Sequence, residues 1–443
     1  MQGRKLSFGL LTTSLFCVGS LLVSSFEVNA ESINSVIGQA VKNNPNVKEA
    51  IARYEQRSAE IDVARSDYLP QLNVRGTVGK QRITYNSASR QNGTENSQEI
   101  GIVLSQLLFD GFNTWNNIDR VKAETLAERY NTLSVAENTA LEAASAYLSV
   151  LQRQEELSLA QQNIRVHEKI VQDITRKASS GVGSSADVSQ ANARLASARA
   201  SVISADANLQ EAKSQYLRVI GMAPEQLQWP AESYQSTSTP TDLASAFKTA
   251  QSHHSVLKMA NADILAAEYQ YQQAASGFYP RLSLEASQNW NDNQVEQFGR
   301  YDEQLVALRV DMNLFAGGRD MAKRESAGKA INQATAIRDR SYLQLQDAVT
   351  QAWTAWQTNQ SQRAELETAA KASEETVLAY RKQFAIGMRT LIDVLNAEQE
   401  LFAARRSLIE NRKSLHEAYY RLQNTMGGLL TVTQVAAPLP ENG

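Results

Sequence analysis

Two stretches of this 443-residue chain repeat apolar positions every seven residues, with a large side chain alternating with a small one. The large positions of the first stretch are Val188, Leu195, Val202, Leu209 and Tyr216. Those of the second lie 206 residues later (394 − 188) and are Val394, Leu401, Leu408, Leu415 and Leu422. A repeat averaging about 3.5 residues is typical of helices that supercoil left-handedly. The pattern therefore predicts a duplicated coiled-coil element.

Long runs without helix breakers predict how far these helices extend. Residues 112–180 contain no glycine or proline, and residues 319–386 contain only Gly328. At 1.5 Å per residue, each run would form a helix roughly 100 Å long. Lengths of this kind exceed those of helices in globular domains.

Shorter segments complete each copy. Returning helices are predicted over 186–220 and 391–426, each about half the length of the long helix. Helices over 32–67 and 242–276 would supply the other half, stacked end to end with them. Each long helix would then lie beside two short ones.

These segments divide the chain into two repeats, a connector and a tail. The first repeat is predicted over 31–220 and the second over 242–428, with a connector at mid-height of the helical wall over 221–241. The tail, residues 429–443, contains Pro438 and is expected to be irregular.

Each repeat also carries a predicted strand hairpin, over 69–109 and 280–315. In residues 305–314 one face is apolar and the other is mostly polar; the apolar positions are Val306, Leu308, Val310, Met312 and Leu314. This alternation is typical of a strand with lipid on one side and water on the other. The polar segments 84–97 and 291–302 are expected to be exposed loops.

Four strands cannot close a barrel, and an open sheet edge in lipid leaves backbone groups unpaired. The chain is therefore expected to oligomerise, with eight strands from two copies or twelve from three, the latter leaving room for a lumen. The predicted fold class is mainly α with a membrane β-barrel: duplicated coiled-coil hairpins plus four strands per chain, assembled into a duct.

The N-terminus and the charge indicate an exported protein. Residues 1–30 have the basic, apolar and small-residue regions of a secretory signal, although a membrane anchor is the alternative. The only cysteine, Cys17, lies inside this segment. The formal net charge of −3 gives no indication of nucleic-acid binding. An exported chain that spans a membrane by strands indicates the outer membrane of a Gram-negative cell.

Aromatic residues cluster where the predicted strands meet the helices. They are Tyr68, Phe109, Phe112, Trp115, Phe278, Tyr279 and Phe315. Aromatic side chains in this position are typical of a membrane-interface girdle. Ordinary packing at a strand–helix junction would explain the same residues.

The turns between long and returning helices have matching sequences. Gly181 and Gly387 precede Ser184-Ser185-Ala186-Asp187 and Thr390-Leu391-Ile392-Asp393, and both four-residue runs fit a helix capping box. The structural role of these hairpin tips is to reverse the chain and cap the next helix.

No catalytic or cofactor-binding constellation is apparent. The histidines are His167, His253, His254 and His416, and the adjacent pair would diverge on a helix, so no metal site is expected. The Gly-Lys pairs at 79–80 and 328–329 lack the first glycine of a phosphate loop. The sequence predicts neither an enzyme nor a cofactor, and energy for any transport would come from a partner.

Residues 387–399, GMRTLIDVLNAEQ, resemble the TolC family of outer-membrane export ducts, and the resemblance extends over both repeats. It implies a homotrimer with a twelve-stranded barrel and a twelve-helix periplasmic tunnel. It also implies a periplasmic adaptor and an inner-membrane pump as partners. Residues 107–124 and 215–227 look most like the branch that serves type I secretion, in which the pump is an ABC transporter.

The resemblance implies that the tips converge to form a gate and are contacted by the adaptor. Arg389 and Asp393 match the family's gate arginine and one gate aspartate, whereas Phe384 replaces a tyrosine and Asn396 replaces the second aspartate. Fewer polar links and a single carboxylate ring are therefore expected. Adaptor docking is expected at Gly181, Ser184, Asp187, Gly387 and Thr390. For Asp393, a role as a helix cap alone is the alternative.

Three functions remain open from the sequence. The first is a passive duct for type I secretion of a large protein such as an adhesin or toxin. The second is the outer-membrane component of a multidrug efflux pump. The third, from a different class, is a periplasmic coiled-coil scaffold with soluble hairpins.

Overall fold

The computed structural model describes residues 31–84, 93–231, 239–294 and 297–439. The predicted secretory segment and Cys17 lie outside these ranges. The first repeat contains α1 (Ile33–Asn43), α2 (Pro45–Ser66), β1 (Gln71–Ile83), β2 (Gly93–Phe109), α3 (Asn113–Ser179) and α4 (Ser185–Ile220). The second contains α5 (Leu243–His253), α6 (Ser255–Ala274), β3 (Arg281–Gln294), β4 (Gln297–Asp311), α7 (Arg319–Ala385) and α8 (Leu391–Thr425). A short α9 (Leu429–Val432) follows.

The long helices α3 and α7 have 67 residues each, roughly 100 Å at 1.5 Å per residue. Helix α3 packs against α2, α4, α6 and α8, and α7 packs against α5, α6 and α8. Burial of the returning helices follows the predicted seven-residue register; Leu195, Leu209, Tyr216, Leu401, Leu415 and Leu422 are buried. Alanines lie between them, so the helix axes can approach closely.

The segments 32–67 and 242–276, each predicted as a single helix, are each broken once. The breaks are at Asn44 and His254, 210 residues apart (254 − 44), and each breaking residue has an extended backbone and caps the following helix. Asn44 Oδ1 accepts a hydrogen bond from Asn46 N at 2.9 Å, and His254 Nδ1 accepts one from Val256 N at 3.3 Å. The duplication therefore includes the breaks as well as the helices.

The four strands form one antiparallel sheet in the order β1-β2-β3-β4. The β2–β3 pair joins the two repeats, with Ile100 opposite Trp290, and a bulge interrupts it between Leu107 and Phe109. The strands are longer than predicted, because residues 93–97, 291–294 and 297–302, which were expected to lie in exposed loops, continue them. The polar side chains of these residues do not prevent strand pairing, because the hydrogen bonds between strands are made by the backbone. Conversely, β4 ends at Asp311, so Met312 and Leu314 lie beyond it.

The predicted fold class is confirmed at the level of one chain, with duplicated long helical hairpins and four strands. Within the described ranges, no helix combines the length and the apolar character required to cross a membrane.

The connector is anchored to the helical wall by Tyr147 and Trp229. The buried Tyr147 hydroxyl lies 2.6 Å from Gln228 O and accepts a hydrogen bond from Gln228 N at 3.0 Å. Trp229 Nε1 donates to Glu155 Oε1 at 2.8 Å, and the His416 ring stacks on the indole at 5.7 Å. Burial, together with the positive charges of Arg412 and Arg363, lowers the pKa of His416 to about 4.

The beginning of the tail is ordered, in contrast to the predicted irregular structure. Leu429 and Leu430 are buried in the main core, and this apolar pair stabilises α9 after the turn at Gly427. The carboxylate of Glu137 on α3 accepts a hydrogen bond from Leu430 N at 3.4 Å. Burial raises the pKa of Glu137 to about 7.

Candidate functional site at the helix tips

The two turns between long and returning helices have the same backbone geometry. Gly181 and Gly387 both have φ of +79°, a conformation that favours glycine. After Gly181, Val182 N donates to Lys177 O at 3.0 Å, and after Gly387, Met388 N donates to Gln383 O at 2.9 Å. These bonds close each long helix in the manner of a glycine C-cap.

Only one of the two predicted capping boxes is present. In the second repeat Thr390 Oγ1 accepts a hydrogen bond from Asp393 N, and Asp393 Oδ2 accepts one from Thr390 N at 3.1 Å. In the first repeat Ser184 Oγ instead accepts a hydrogen bond from Ala186 N at 3.1 Å. The expected reciprocal bond with Asp187 was therefore wrong. A serine can satisfy the second helical N–H without its acidic partner.

Asp393 and Arg389 lie together in the second tip. Hydrogen bonds from the side chain and backbone of Thr390 lower the pKa of Asp393, and the charge of Arg389 lowers it further. The Arg389 guanidinium lies 4.2 Å from the centre of the Tyr380 ring, and its Nε donates to Gln383 Oε1 at 3.1 Å. Arg389 is thus held against its own hairpin, while Asp393 is an ionised cap.

Phe384 contacts the other repeat. The Lys177 ammonium on α3 lies 4.2 Å from the centre of the Phe384 ring on α7, in the geometry of a cation–π interaction. Phe384 also packs against an apolar cluster of buried side chains between the two hairpins, formed by Ile174, Ala191, Leu391 and Leu395. Phe384 therefore links the two repeats through its ring, without a hydroxyl group.

Asn396 also bridges the repeats. Its Oδ1 accepts a hydrogen bond from Arg194 Nη2 on α4 at 3.3 Å. Two residues further along α8, the buried Glu398 forms an ion pair with Arg381 of α7 at 2.5 Å, within the second hairpin. An aspartate at position 396 would form an ion pair with Arg194, whereas Asn396 accepts a hydrogen bond from Arg194 through a neutral amide oxygen.

The structure therefore places the four predicted gate residues in separate contacts rather than in one cluster. Asp393 forms a cap with Thr390, Arg389 lies against Tyr380, Phe384 contacts Lys177, and Asn396 contacts Arg194. Sequence reasoning did not find Lys177 or Arg194, because nothing in their local pattern distinguishes them from other cations on the helices.

The predicted aromatic residues lie at the opposite end of the long helices. Phe112 packs edge-to-face against Phe109 at 5.3 Å and against Tyr279 at 6.3 Å. Phe112 has a left-handed backbone, with φ of 64°, and directly precedes α3. Large exposed areas remain on several of these rings, reaching 61% for Trp115 and 85% for Phe315, with Phe278 half exposed. Tyr68 is partly buried, and its carbonyl accepts a hydrogen bond from Gln106 Nε2 at 2.8 Å.

The strands beyond these rings have the predicted two faces. Val306, Leu308 and Val310 are exposed in the single chain, Val306 by 77%. On the other face of β4, Arg309 forms an ion pair with Glu285 of β3 at 2.8 Å. The sheet thus has an exposed apolar face and a face that holds charge.

Known proteins resemble the chain along nearly all of its length. "Outer membrane efflux protein BepC" of Brucella suis is 25% identical over 419 residues, covering 94% of this chain and 90% of that protein. "Alkaline protease secretion protein AprF" of Pseudomonas aeruginosa is 26% identical over 417 residues, covering 88% and 83%. A crystal structure of CusC superimposes with a TM-score of 0.80 at 18% identity, covering 90% of this chain and 93% of that one.

The sequence profile of a family described as "Outer membrane efflux protein" matches residues 36–221 and 246–428. The two matched segments correspond to the two structural repeats, so the match covers most of the chain. The chain therefore belongs to the outer membrane efflux protein family.

Proposed function

We propose that three copies of this chain form a passive export duct, with the strands in the outer membrane and the helices in the periplasm. The observation that supports this most strongly is the four-stranded sheet. Within the described residues β1 pairs only with β2, and β4 only with β3, so both outer edges are open. Open edges are costly in lipid, and joining three sheets edge to edge would remove them.

The two faces of the sheet support a membrane position for the strands. Val306, Leu308 and Val310 would face lipid, while the Arg309–Glu285 pair would face an aqueous lumen. The exposed rings of Trp115 and Phe315 would lie at the membrane interface. A periplasmic scaffold would gain nothing from these exposed apolar side chains. Membrane fractions that release the chain only with detergent would support the duct, and release by salt or carbonate would support the scaffold.

The tips at the far end of α3 and α7 would form the gate of the duct. Lys177–Phe384 and Arg194–Asn396 each join one hairpin to the other, so separating the hairpins requires both contacts to break. The three copies of Asp393 would provide one ring of carboxylates at the constriction, which attracts cations. Arg389, held against Tyr380, would support the tip that carries this ring.

A periplasmic adaptor would dock on the same tips, at Gly181, Ser184, Asp187, Gly387 and Thr390. Ser184 and Thr390 are exposed, and the only cysteine, Cys17, lies in the predicted secretory segment, so a cysteine placed at a tip of the mature chain can be labelled selectively. Ser184→Cys is expected to cross-link to an adaptor in cells. Ser361→Cys, exposed in the middle of α7, is the control. Equal cross-linking at both positions would contradict docking at the tips.

The cargo is proposed to be a large protein exported by type I secretion, with an ABC transporter in the inner membrane. Residues 107–124 and 215–227 support this branch, and so does the similarity to AprF, which is named for alkaline protease secretion. The similarity to BepC, named an efflux protein, supports multidrug efflux as the second candidate.

A deletion strain distinguishes the two cargo classes. Its secreted and surface proteins would be compared with those of the parent strain, alongside its susceptibility to a panel of drugs and detergents. Loss of one large secreted or surface protein with unchanged susceptibility is expected. Broad drug sensitivity with an intact set of secreted proteins would instead establish efflux. Restoring the gene must reverse whichever change is seen.

A further inference from the structure

A cavity lies between the two helical hairpins near their tips, and it is lined by α3, α7 and α8. Its volume is about 650 Å³, within the range of small-molecule sites of about 300–1,000 Å³. We call it the α3–α7–α8 cavity; its lining includes Val166, Ile170, Ile174, Phe384, Leu391 and Val394. We propose that this cavity binds a soluble single-chain amphiphile with an anionic headgroup, such as a fatty acid.

The floor of the cavity is suited to an alkyl chain. Val166, Ile170 and Ile174 recur every four residues and form one apolar stripe along α3. Leu391 and Val394 of α8 are buried beneath it, and the Phe384 ring closes one side. An alkyl chain lying along this stripe would remove apolar surface from water on both partners.

The rim of the cavity is suited to an anion. Five cations line it, against the single carboxylate of Asp173; they are Arg165, Lys169, Arg176, Lys177 and Arg381. Three of the five are already engaged: Arg176 lies 3.9 Å from Asp173, Lys177 lies over Phe384, and Arg381 pairs with Glu398.

Arg165 and Lys169 are therefore the cations that can hold a headgroup. Both are exposed, and within the described part of the chain neither forms an ion pair. They are four residues apart on α3, so their side chains lie on the same face of the helix. That face adjoins the apolar stripe, which places a charged rim directly beside an apolar floor.

The position of the cavity indicates that the ligand is a free molecule and not a membrane lipid. Arg165 lies 52 residues from the first residue of α3 (165 − 113), or roughly 80 Å along the helix axis. The strands join the other end of that helix. A lipid anchored at the strands cannot reach the cavity, whereas a dissolved monomer can. The fit of the cavity to an anionic amphiphile does not rest on the proposed function, whereas the exclusion of a membrane lipid rests on the proposed position of the strands in the outer membrane.

Photo-cross-linking of the full-length protein in nanodiscs tests the proposal. The probe is dodecanoate with a diazirine at the end of its chain, and the comparison is the dodecanol that carries the same group. Labelled peptides are quantified by mass spectrometry. At least fivefold more labelling of segments 162–177 and 381–394 is expected with the carboxylate than with the alcohol. Equal labelling of these segments by both probes, or labelling confined to the strands, would overturn the proposal.

Two sets of variants separate the rim from the floor. Arg165→Gln combined with Lys169→Gln is expected to reduce carboxylate labelling to the level of the alcohol. Arg340→Gln combined with Lys371→Gln removes two exposed cations of α7 outside the cavity and should leave labelling unchanged. Ile170→Gln keeps the cations but makes the floor polar, and should also reduce labelling. Unchanged labelling in the rim variant would contradict an anion site.

Discussion

The ammonium group of Lys177 lies 4.2 Å from the centre of the Phe384 ring, and this contact joins the two repeats. A cation–π interaction at an exposed site contributes about 0.5–1 kcal/mol. Lys177→Met should therefore raise the equilibrium constant for opening about two- to fivefold for each protomer, and with it the open probability of the reconstituted channel. Phe384→Leu, which removes the ring and keeps an apolar side chain, should act in the same direction.

Single-channel recording in planar bilayers measures this effect. Lys382→Met, which removes an exposed cation in the last turn of α7, is the matched control. If Lys382→Met raises the open probability as much as Lys177→Met does, the effect comes from net charge and the closing role of Lys177 is refuted.

Asp393 takes part in the cap of α8 and also carries a negative charge. Asp393→Asn removes the charge and keeps the cap, so it separates the two roles. The amide oxygen can still accept the hydrogen bond from Thr390 N, so the helix should remain capped. The carboxylate ring would lose its charge, and the preference of the channel for cations should decrease. Reversal potentials measured in a KCl gradient report this preference.

Asp187→Asn, at the matching position of the first repeat, is the control for Asp393→Asn. Ser184 caps that helix without a reciprocal bond from Asp187, and Asp187→Asn should change the reversal potential less. If Asp393→Asn leaves both conductance and reversal potential at wild-type values, Asp393 is a cap alone.

Glu137 should make stability depend on pH. Its folded pKa of about 7 lies above its ordinary value of 4.5. Between these pH values the unfolded chain is ionised while the folded chain keeps the proton, so stability decreases as pH rises from 4.5 to 7 and stays low above 7. The full difference is about 3 kcal/mol. Glu137→Gln cannot ionise and keeps an acceptor for Leu430 N, so it should raise the Tm at pH 8 and change it little at pH 4.5.

Thermal unfolding followed by circular dichroism checks the Glu137 prediction at both pH values. Glu142→Gln, exposed on the same helix, should shift the Tm little at either pH. A stabilisation by Glu137→Gln of the same size at pH 4.5 and pH 8 would show that burial of charge is not its cause.

His416 should have the opposite pH dependence. Its folded pKa of about 4 lies below its ordinary value of 6.5, so the unfolded chain takes up a proton that the folded chain excludes. Stability is then lost as pH falls from 6.5 to 4. His416→Phe keeps a ring against Trp229 and cannot be protonated, so its Tm should fall less between pH 7 and pH 4.5 than that of the wild type.

The control for His416→Phe is His253→Phe, which replaces an exposed histidine on α5. It should leave the pH dependence of the Tm unchanged. If His416→Phe loses as many degrees between pH 7 and pH 4.5 as the wild type does, then the acid sensitivity arises from other groups.

The sequence predicted the elements that depend on local periodicity. The seven-residue register from Val188 to Tyr216 indicates which side of α4 is buried, because a helix turns at a nearly fixed angle per residue. Pro45 indicates the break at Asn44, because proline favours the first position of a helix. No residue next to His254 indicates the matching break, since a histidine ring nitrogen rarely caps a helix. The short helix that begins at Leu429 was not predicted, because the two glycines before it indicated the end of regular structure.

The contacts at the tips could not be predicted in the same way. Lys177 and Phe384 are 207 residues apart (384 − 177), and they meet because α3 and α7 pack side by side. The same holds for Arg194 and Asn396. Their adjacency follows from the relative rotation of helices, which a sequence pattern does not specify.

The ladder between β2 and β3 has a consequence for how the chain reaches this structure. Phe109 pairs with Leu282, 173 residues later (282 − 109), so the inner strand of the first hairpin obtains its partner only after α3, α4, α5 and α6 have been synthesised. Non-local pairings of this kind fold slowly, because the intervening chain loses entropy before the contact forms. Until then the edge of β2 and its apolar side chains remain open to other chains. The first hairpin is thus exposed to aggregation for as long as β3 is missing.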